Sequence, residues 1–535
     1  MSQIKEKTRQ RLRSAKAVLC TDAKSSPSPC APAALTPPPP PTTASPSLRA
    51  VLAALAAALV GLLVAACSLA PPAPVPEAAL DRFDDLADPG ARRRPESLEW
   101  WKSFADPVLD QVMATTLDAS FDLAEAVARV DQARARARIA AAARFPAAQA
   151  ALGVSRFDAP TNAGLGAQLD ELGLGADVTE AFGFTLPDRL DLTTYSLGAD
   201  FAYEADFWGR HRNAALAAGA EHLASEADFQ AARIGVLAET VATYLEIVDL
   251  RCQWRLADEL AGIFEERASL AAAGYERGRT DIRDLYAAQR ALADAQAELP
   301  RMTGRLADAE ARLWILLGGH RPDLERLLPD ALEPSAPSAP APAGIPADLL
   351  AQRPDVNAAR QRMEAARFAV GARRAALLPA LSLSGFIGLQ ATESGDWFDP
   401  DQWFENLSAN LLLPVFQGGR LRGNVALAEA QLAEAGAAFG RSVVTAVNEV
   451  EAALAGLRSG ARRVALLTAI LEAADAEAAL QERRYLAGVA DYGSHLGARQ
   501  LLVGAESALA GGRRDLAYAR LALHRALGGA WTKAQ

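Results

Sequence analysis

The chain has 535 residues, half of them hydrophobic but only 6% aromatic, with 22% charged residues and a formal net charge of −10. That acidic balance excludes the broad basic face a nucleic-acid binder needs, so no nucleic acid is expected as a partner. Abundant Ala with few aromatics favours long helices.

Residues 1–66 depart from this average. They hold eight basic groups (Lys5, Lys7, Arg9, Arg11, Arg13, Lys16, Lys24, Arg49) and two acidic ones (Glu6, Asp22), a net of +6, so the remainder carries −16. After Arg49, residues 50–66 form an apolar run of 17 that ends in Leu63, Val64, Ala65 and Ala66, followed by Cys67. An apolar stretch closed by small residues is the pattern of a secretory leader with its cleavage point. The segment resembles the bacterial lipoprotein signal, in which small residues stand directly before an acylated Cys. The resemblance makes Cys67 the lipidation site (palmitate among its acyl groups) and residues 1–66 the leader and signal peptide. A run of 17 is also just long enough for a transmembrane anchor. In such lipoproteins an Asp after the Cys favours the inner membrane; Ser68 stands here, which resembles sorting to the outer membrane. The 48 residues before Arg49, with Pro37–Pro41 among them, exceed what a signal needs, and translation is expected to start near Leu48 or Val51. Cys20 and Cys30 fall in the leader and Cys252 stands alone, so the mature chain is expected to lack an intrachain disulfide and to bury Cys252.

Residues 67–99 form a lipid-anchored linker whose first part, 68–77, is rich in Pro and Ala and extended. Order is expected from Trp100, and the pattern Leu123, Val127, Val130, Ala133 predicts a helix over 118–144, stopped by Pro146. The period then changes to two. In 193–204 the odd positions are Thr193, Tyr195, Leu197, Ala199, Phe201 and Tyr203, and the even ones Thr194, Ser196, Gly198, Asp200, Ala202 and Glu204. One face is apolar and aromatic over about the 9–11 residues a tilted strand needs to cross a bilayer. Residues 381–390 and 403–413 alternate in the same way and 150–157 more weakly, which predicts four strands, two in each half of the chain. A pair of soluble hairpins with one wet face has the same pattern strand by strand. Long helices are predicted over 213–250 and 424–458, roughly 35 residues or about 50 Å each. In the second, Phe439, Val443, Ala446, Val450, Ala453 and Leu457 make a heptad seam. These helices are expected to turn near 249–254 and 459–464, and the returning helices to lead to a further turn at Tyr275–Asp281 and Tyr485–Asp491.

The chain makes one long unit twice. Tyr275, Gly278 and Asp281 recur as Tyr485, Gly488 and Asp491, an offset of 210; the same offset carries Gly209 and Arg210 onto Gly419 and Arg420, and Leu317–Gly319 onto Leu527–Gly529. Earlier, Asp122, Arg129 and Pro146 match Asp355, Arg362 and Pro379 at an offset of 233. Islands this far apart in one register mean duplication. The difference of 23 residues is assigned to the loop 158–192. The first repeat is placed at 100–332, a Pro/Ala-rich connector at 333–346 and the second repeat at 347–535.

No phosphate loop, HExxH, CxxC or Gly-x-Ser-x-Gly motif occurs, and the five His residues have no metal-ligand spacing. An enzyme is not expected, nor a metal site, nor any cofactor beyond a covalent lipid on Cys67.

The pieces in order resemble the outer-membrane efflux factor family, the TolC-like channels, and within it the lipoprotein branch of drug and heavy-metal efflux systems. The residues carrying the resemblance include Trp101–Pro107, Arg353–Val356, Pro379–Leu383, Tyr203–Arg210, Leu413–Arg420, Arg484–Tyr492 and Ala526–Trp531. A departure is Tyr492–Gly493, where the family usually has Tyr-Leu. The resemblance implies a mainly α protein with β: a trimeric channel with four membrane strands per protomer, closing a shared twelve-stranded β-barrel over a long periplasmic coiled-coil α-barrel. It implies a passive exit duct, lipid-anchored in the outer membrane and reaching into the periplasm, for drugs, small molecules or metal ions. An inner-membrane pump and a periplasmic adaptor would deliver these. An exit duct for type I protein secretion has the same architecture; a coiled-coil envelope lipoprotein without a pore is the alternative of another class. In the family the resting channel closes at the hairpin tips with help from acidic residues. With turns at 459–464, the candidates are Glu449 and Glu451, with Arg458 two turns on; both carboxylates also suit a solvated helix face.

Overall fold

The computed structural model describes residues 69–72, 99–160, 189–321 and 353–528. After a short 3₁₀ turn, Trp100–Phe104, come α1 (Pro107–Ala119), α2 (Phe121–Ala142), β1 (Ala147–Pro160) and β2 (Arg189–Ala205). The first repeat continues with α3 (Arg210–Glu276) and α4 (Ile282–Leu316). The second holds α5 (Pro354–Ala375), β3 (Ala380–Ala391), β4 (Trp403–Leu412), α6 (Arg420–Leu486) and α7 (Tyr492–Ala526).

The helices correct one expectation. α3 and α6 are single helices of 67 residues each, about 100 Å at 1.5 Å per residue. Neither reverses at 249–254 or 459–464. Ser459 there bonds back to the Gly456 carbonyl within the helix (3.0 Å). Gly460 does not turn the chain; a Cβ on it would lie 3.2 Å from Leu516 Cδ1 of α7, so its small size serves helix packing. The chain reverses only where the repeated Tyr-x-x-Gly-x-x-Asp stretch is expected to turn it. Gly278 and Gly488 take φ of 66° and 72°, the left-handed region that ends helices at little cost only for glycine. Asp281 and Asp491 then cap the returning helices, accepting from Arg283 N (2.9 Å) and Ser494 N (2.8 Å).

The return helices α4 and α7 have 35 residues each, and α2 and α5 have 22 each. Their combined rise nearly matches that of one long helix. Each return helix ends against the start of the short helix of its own repeat. A Cβ on Gly318 would fall 2.1 Å from the Ala119 carbonyl oxygen, and one on Gly528 would lie 3.4 Å from Arg353 Cγ. The long helix is thus lined by the short helix toward the sheet and by the return helix toward the turn.

The largest core sits where these helices meet. Trp100, Trp101, Phe104, Leu109, Val112 and Met113 pack on Val241, Tyr244, Ile247 and Val248 of α3, with Leu313 of α4 and Leu521 of α7. A second core joins Val356 of α5 to Ala446, Val450, Ala453 and Leu454 of α6 and Leu523 of α7; the partly buried Phe439, Val443 and Leu457 complete the expected heptad seam. A third lies between α3 and α7 and holds the buried Cys252 with Leu256, Ile263, Leu496, Val503 and Ala510.

The four strands form one antiparallel sheet in the order β1-β2-β3-β4. Its register pairs Leu152 with Leu197, Leu197 with Leu389, and Leu383 with Ala409.

Candidate functional site

Because side chains alternate across a strand, register decides whether the four apolar stripes coincide. They do. One face carries Ala150, Leu152 and Val154, then Tyr195, Leu197, Ala199, Phe201 and Tyr203, then Leu381, Leu383, Ile387 and Leu389, then Leu407, Ala409 and Leu411. The other carries Gln149 and Ser155; Thr194, Ser196, Asp200 and Glu204; Ser382, Ser384 and Gln390; and Asn406, Ser408 and Asn410. Ser384 and Ser408 meet on it, Oγ to Oγ, at 2.8 Å. Apolar side chains also reach the polar face, at Phe386 and Phe404, whose rings lie 6.1 Å apart, and at Phe157, Leu192 and Leu412, while Glu405 sits on the apolar face beside Ile387. Apolar-face residues of both edge strands are exposed, Leu152 on β1 and Leu407 and Leu411 on β4. Among the described residues, β1 and β4 each have one side without a strand neighbour.

At the far end of the long helices a ladder of polar ties joins α3 to α7 around the third core. Arg514 Nη1 donates to the buried Asp249 (2.7 Å). Gln253 Nε2 donates to the Ser507 carbonyl (3.1 Å), and Arg267 Nη1 to Gln500 Oε1 (2.6 Å). Nearest the turn, Arg499 pairs with Glu259 (3.4 Å) and Glu266 (3.8 Å), and the Tyr492 hydroxyl donates to Glu266. That last bond holds the Tyr492 phenol above its ordinary pKa. The rings of Tyr485 and Tyr492 lie 5.0 Å apart beside His495. Neither turn motif nor composition pointed to the partners of this ladder, because they lie more than 200 residues apart in sequence.

Glu449 and Glu451 are not at a turn. They lie 39 and 37 residues before Gly488, so Glu449 is about 58 Å up α6 from the reversal. The expectation failed because the heptad seam contains no stop signal and the helix runs on. Glu449 accepts from Arg353 Nη2 (2.7 Å); the same guanidinium bonds Asp355 (2.7 and 3.0 Å) and the Ala526 carbonyl (2.8 Å). Burial pulls Arg353 down, but its bonds to Asp355 and Glu449 outweigh that and hold it above the ordinary arginine value. Glu449 therefore ties α6 to the start of α5 and the end of α7. Glu451 and Arg458 lie exposed on α6. Cys67, the linker over most of its length, the loop 161–188 and the connector fall outside the described residues.

Comparison with known proteins settles the family. The pattern described as outer membrane efflux protein matches residues 112–319 and again 345–529. The chain belongs to the outer membrane efflux protein family. The pyoverdine export outer membrane protein OpmQ of Pseudomonas putida is 33% identical over 435 residues, 81% of this chain and 88% of that protein. The outer membrane protein OprJ of Pseudomonas aeruginosa is 31% identical over 488 residues, 89% and 95% of the two chains. Among solved structures, the outer-membrane channel OprN superposes with a TM-score of 0.74 at 27% identity, over 87% of this chain and all of that one.

This efflux protein is thus an outer-membrane channel, and its family is one of exit ducts rather than enzymes. Among the described residues no helix is long and apolar enough to cross a membrane.

Proposed function

We propose that three copies of this chain close a twelve-stranded barrel and a helical tunnel beneath it, forming the passive exit duct of a tripartite efflux system. The observation that carries the reading is the four-stranded sheet, apolar on one face in register and open at both edges. In lipid an unpaired backbone group costs several kcal/mol, so an open four-stranded sheet cannot remain there. Four strands are too few to close alone, since bacterial barrels begin at about eight. The flanks suit a head-to-tail contact closed by rotation: α2 and α4 expose Val127, Ile139, Tyr286 and Ile315 on one side, and α6 exposes Leu466, Ile470 and Leu480 on the other. Mass measurement in mild detergent is expected to give a trimer, and planar-bilayer recording a conducting pore; a stable monomer without conductance overturns the reading.

The cargo proposed is a small organic molecule, with metal ions second, delivered by an inner-membrane pump through a periplasmic adaptor. Relatives named for pyoverdine export and toluene efflux support the order. The lipid anchor is Cys67, and mass spectrometry of the mature N-terminus tests it: an acylated Cys67 is expected, and an unmodified one rejects the lipoprotein assignment.

The closed aperture belongs at the Gly278 and Gly488 turns, the end of the α-barrel farthest from the sheet. In this reading the α3–α7 ladder holds the second hairpin in its resting position, and loosening the rungs nearest the turn widens the opening.

A further inference from the structure

Gly371 lies in the interior of α5, where Gly weakens a helix relative to Ala. Its φ is ordinary for a helix, so the backbone does not require it. What requires it is a second stretch of chain. A Cβ there would lie 3.0 Å from Ala70 N, 3.1 Å from Ala70 Cα and 3.0 Å from Asn213 Cγ. One turn earlier, Arg367 Nη1 donates to the Pro71 carbonyl (3.3 Å). Asn213, on α3 of the first repeat, is itself buried. Residues 69–72 therefore lie in a groove between α3 and α5, floored by a missing side chain.

The duplication supplies an internal control. At the offset of 233, Gly371 corresponds to Arg138 of α2, and at 210, Asn213 corresponds to Gly423 of α6. Arg138 is exposed, and a Cβ on Gly423 would meet no atom of the described residues within 4 Å. The two repeats share backbone geometry, yet only the copy facing residues 69–72 carries the floor and wall of a seat.

The position of the seat fits the anchor. Gly371 precedes the first residue of β3, Ala380, by nine residues, about 13 Å along a helix. Cys67 precedes Ala70 by three, a reach of about 10 Å in extended chain. We propose that residues 69–72 are a strap whose receptor is the α3–α5 groove, and that the strap delivers the lipid on Cys67 to the membrane surface beside β3 instead of leaving it on a free tether. The inference rests on the lipoprotein reading for its consequence, but the seat itself does not depend on the lipid.

The test is a nitroxide spin label at Pro72→Cys, an exposed position of the strap, on the full chain in outer-membrane vesicles. The label is expected to be immobilised in the otherwise native protein and in Arg138→Leu, the matched control on α2. It is expected to become several-fold more mobile in Gly371→Leu and to move partway in Arg367→Ala, which keeps the helix glycine. Trimer recovery in detergent separates displacement of the strap from misfolding. A chain exported behind a non-lipoprotein leader with Cys67→Ser should keep the label immobilised. Mobility in the native chain, immobility in both Gly371→Leu and Arg367→Ala, or release on removing the lipid alone each overturn the seat. Immobilisation with an unmodified Cys67 overturns the lipid reading and leaves the seat standing.

Discussion

The two repeats solve the same joint with different chemistry. In the second, the first residue before α5 is Arg353, which gathers Asp355, Glu449 and the Ala526 carbonyl around one buried guanidinium. The matching position in the first repeat, at an offset of 233, is Ser120, whose buried hydroxyl has no hydrogen-bond partner among the described residues. The counterpart of Glu449, Glu239, is exposed. The first repeat holds its joint with α1 and the 3₁₀ turn before it, an apolar plug of Trp100, Trp101, Phe104, Leu109 and Met113 tied down by the Tyr244 hydroxyl on Asp106 (2.5 Å). What the copies share is the close approach at Gly318 and Gly528. Duplication has kept the backbone contact and let the side chains diverge.

The comparison predicts unequal sensitivities. Trp101→Ala removes a buried ring from the plug and should cost about 3–5 kcal/mol, read as a lowered urea midpoint of the detergent-solubilised protein. A loss below about 1 kcal/mol would mean that α1 and its turn are an accessory to the joint.

His524 sits where the two joints meet, stacked on Trp100 at 5.2 Å. Burial, with Arg520 nearby, lowers its pKa to about 4. A neutral buried His gives the unfolded chain the extra proton, so stability should be full above about pH 6.5 and fall as the pH drops from there to about 4. A shift of this size corresponds to roughly 3 kcal/mol. His524→Gln should flatten that part of the stability-against-pH curve; an unchanged slope would assign it to other groups.

Glu449→Ala leaves Arg353 its bonds to Asp355 and Ala526, so the loss should be smaller, about 1–2 kcal/mol. If Glu449 is a joint residue, closed-channel conductance should not change. An increase in conductance with unchanged stability would return Glu449 to the aperture.

At the exposed end, Tyr492→Phe with Arg499→Ala should cost under about 1 kcal/mol, because solvent-exposed pairs contribute little. The same double variant should raise closed-state conductance several-fold if the ladder holds the tip. Unchanged conductance would place the restraint elsewhere on the hairpins.

Local pattern was enough wherever one residue period decides the outcome. The strand at β2 was legible from Thr193 to Tyr203, and the seam from Phe439 to Leu457 lies in the core it implied. The turn at the repeated Tyr-x-x-Gly-x-x-Asp stretch was legible, but further reversals were placed at 249–254 and 459–464, where the helices run on. Gly278 and Gly488 mark a reversal because a left-handed glycine is followed by a capping Asp, a combination absent at 249–254 and 459–464. Glu449 was placed beside a turn as a consequence, whereas it lies within α6 and accepts from Arg353.

The sequence by itself determined the duplication, the long amphipathic helices and the alternating strands, because each follows from periodicity or spacing along the chain. Only the tertiary structure decided that four apolar stripes share one face, that Glu449 belongs to Arg353, that Glu266 meets Tyr492, and that Gly371 lies under Ala70. Those are contacts between segments from tens to hundreds of residues apart, set by register and by the end-to-end fit of helices, and no local pattern encodes either one.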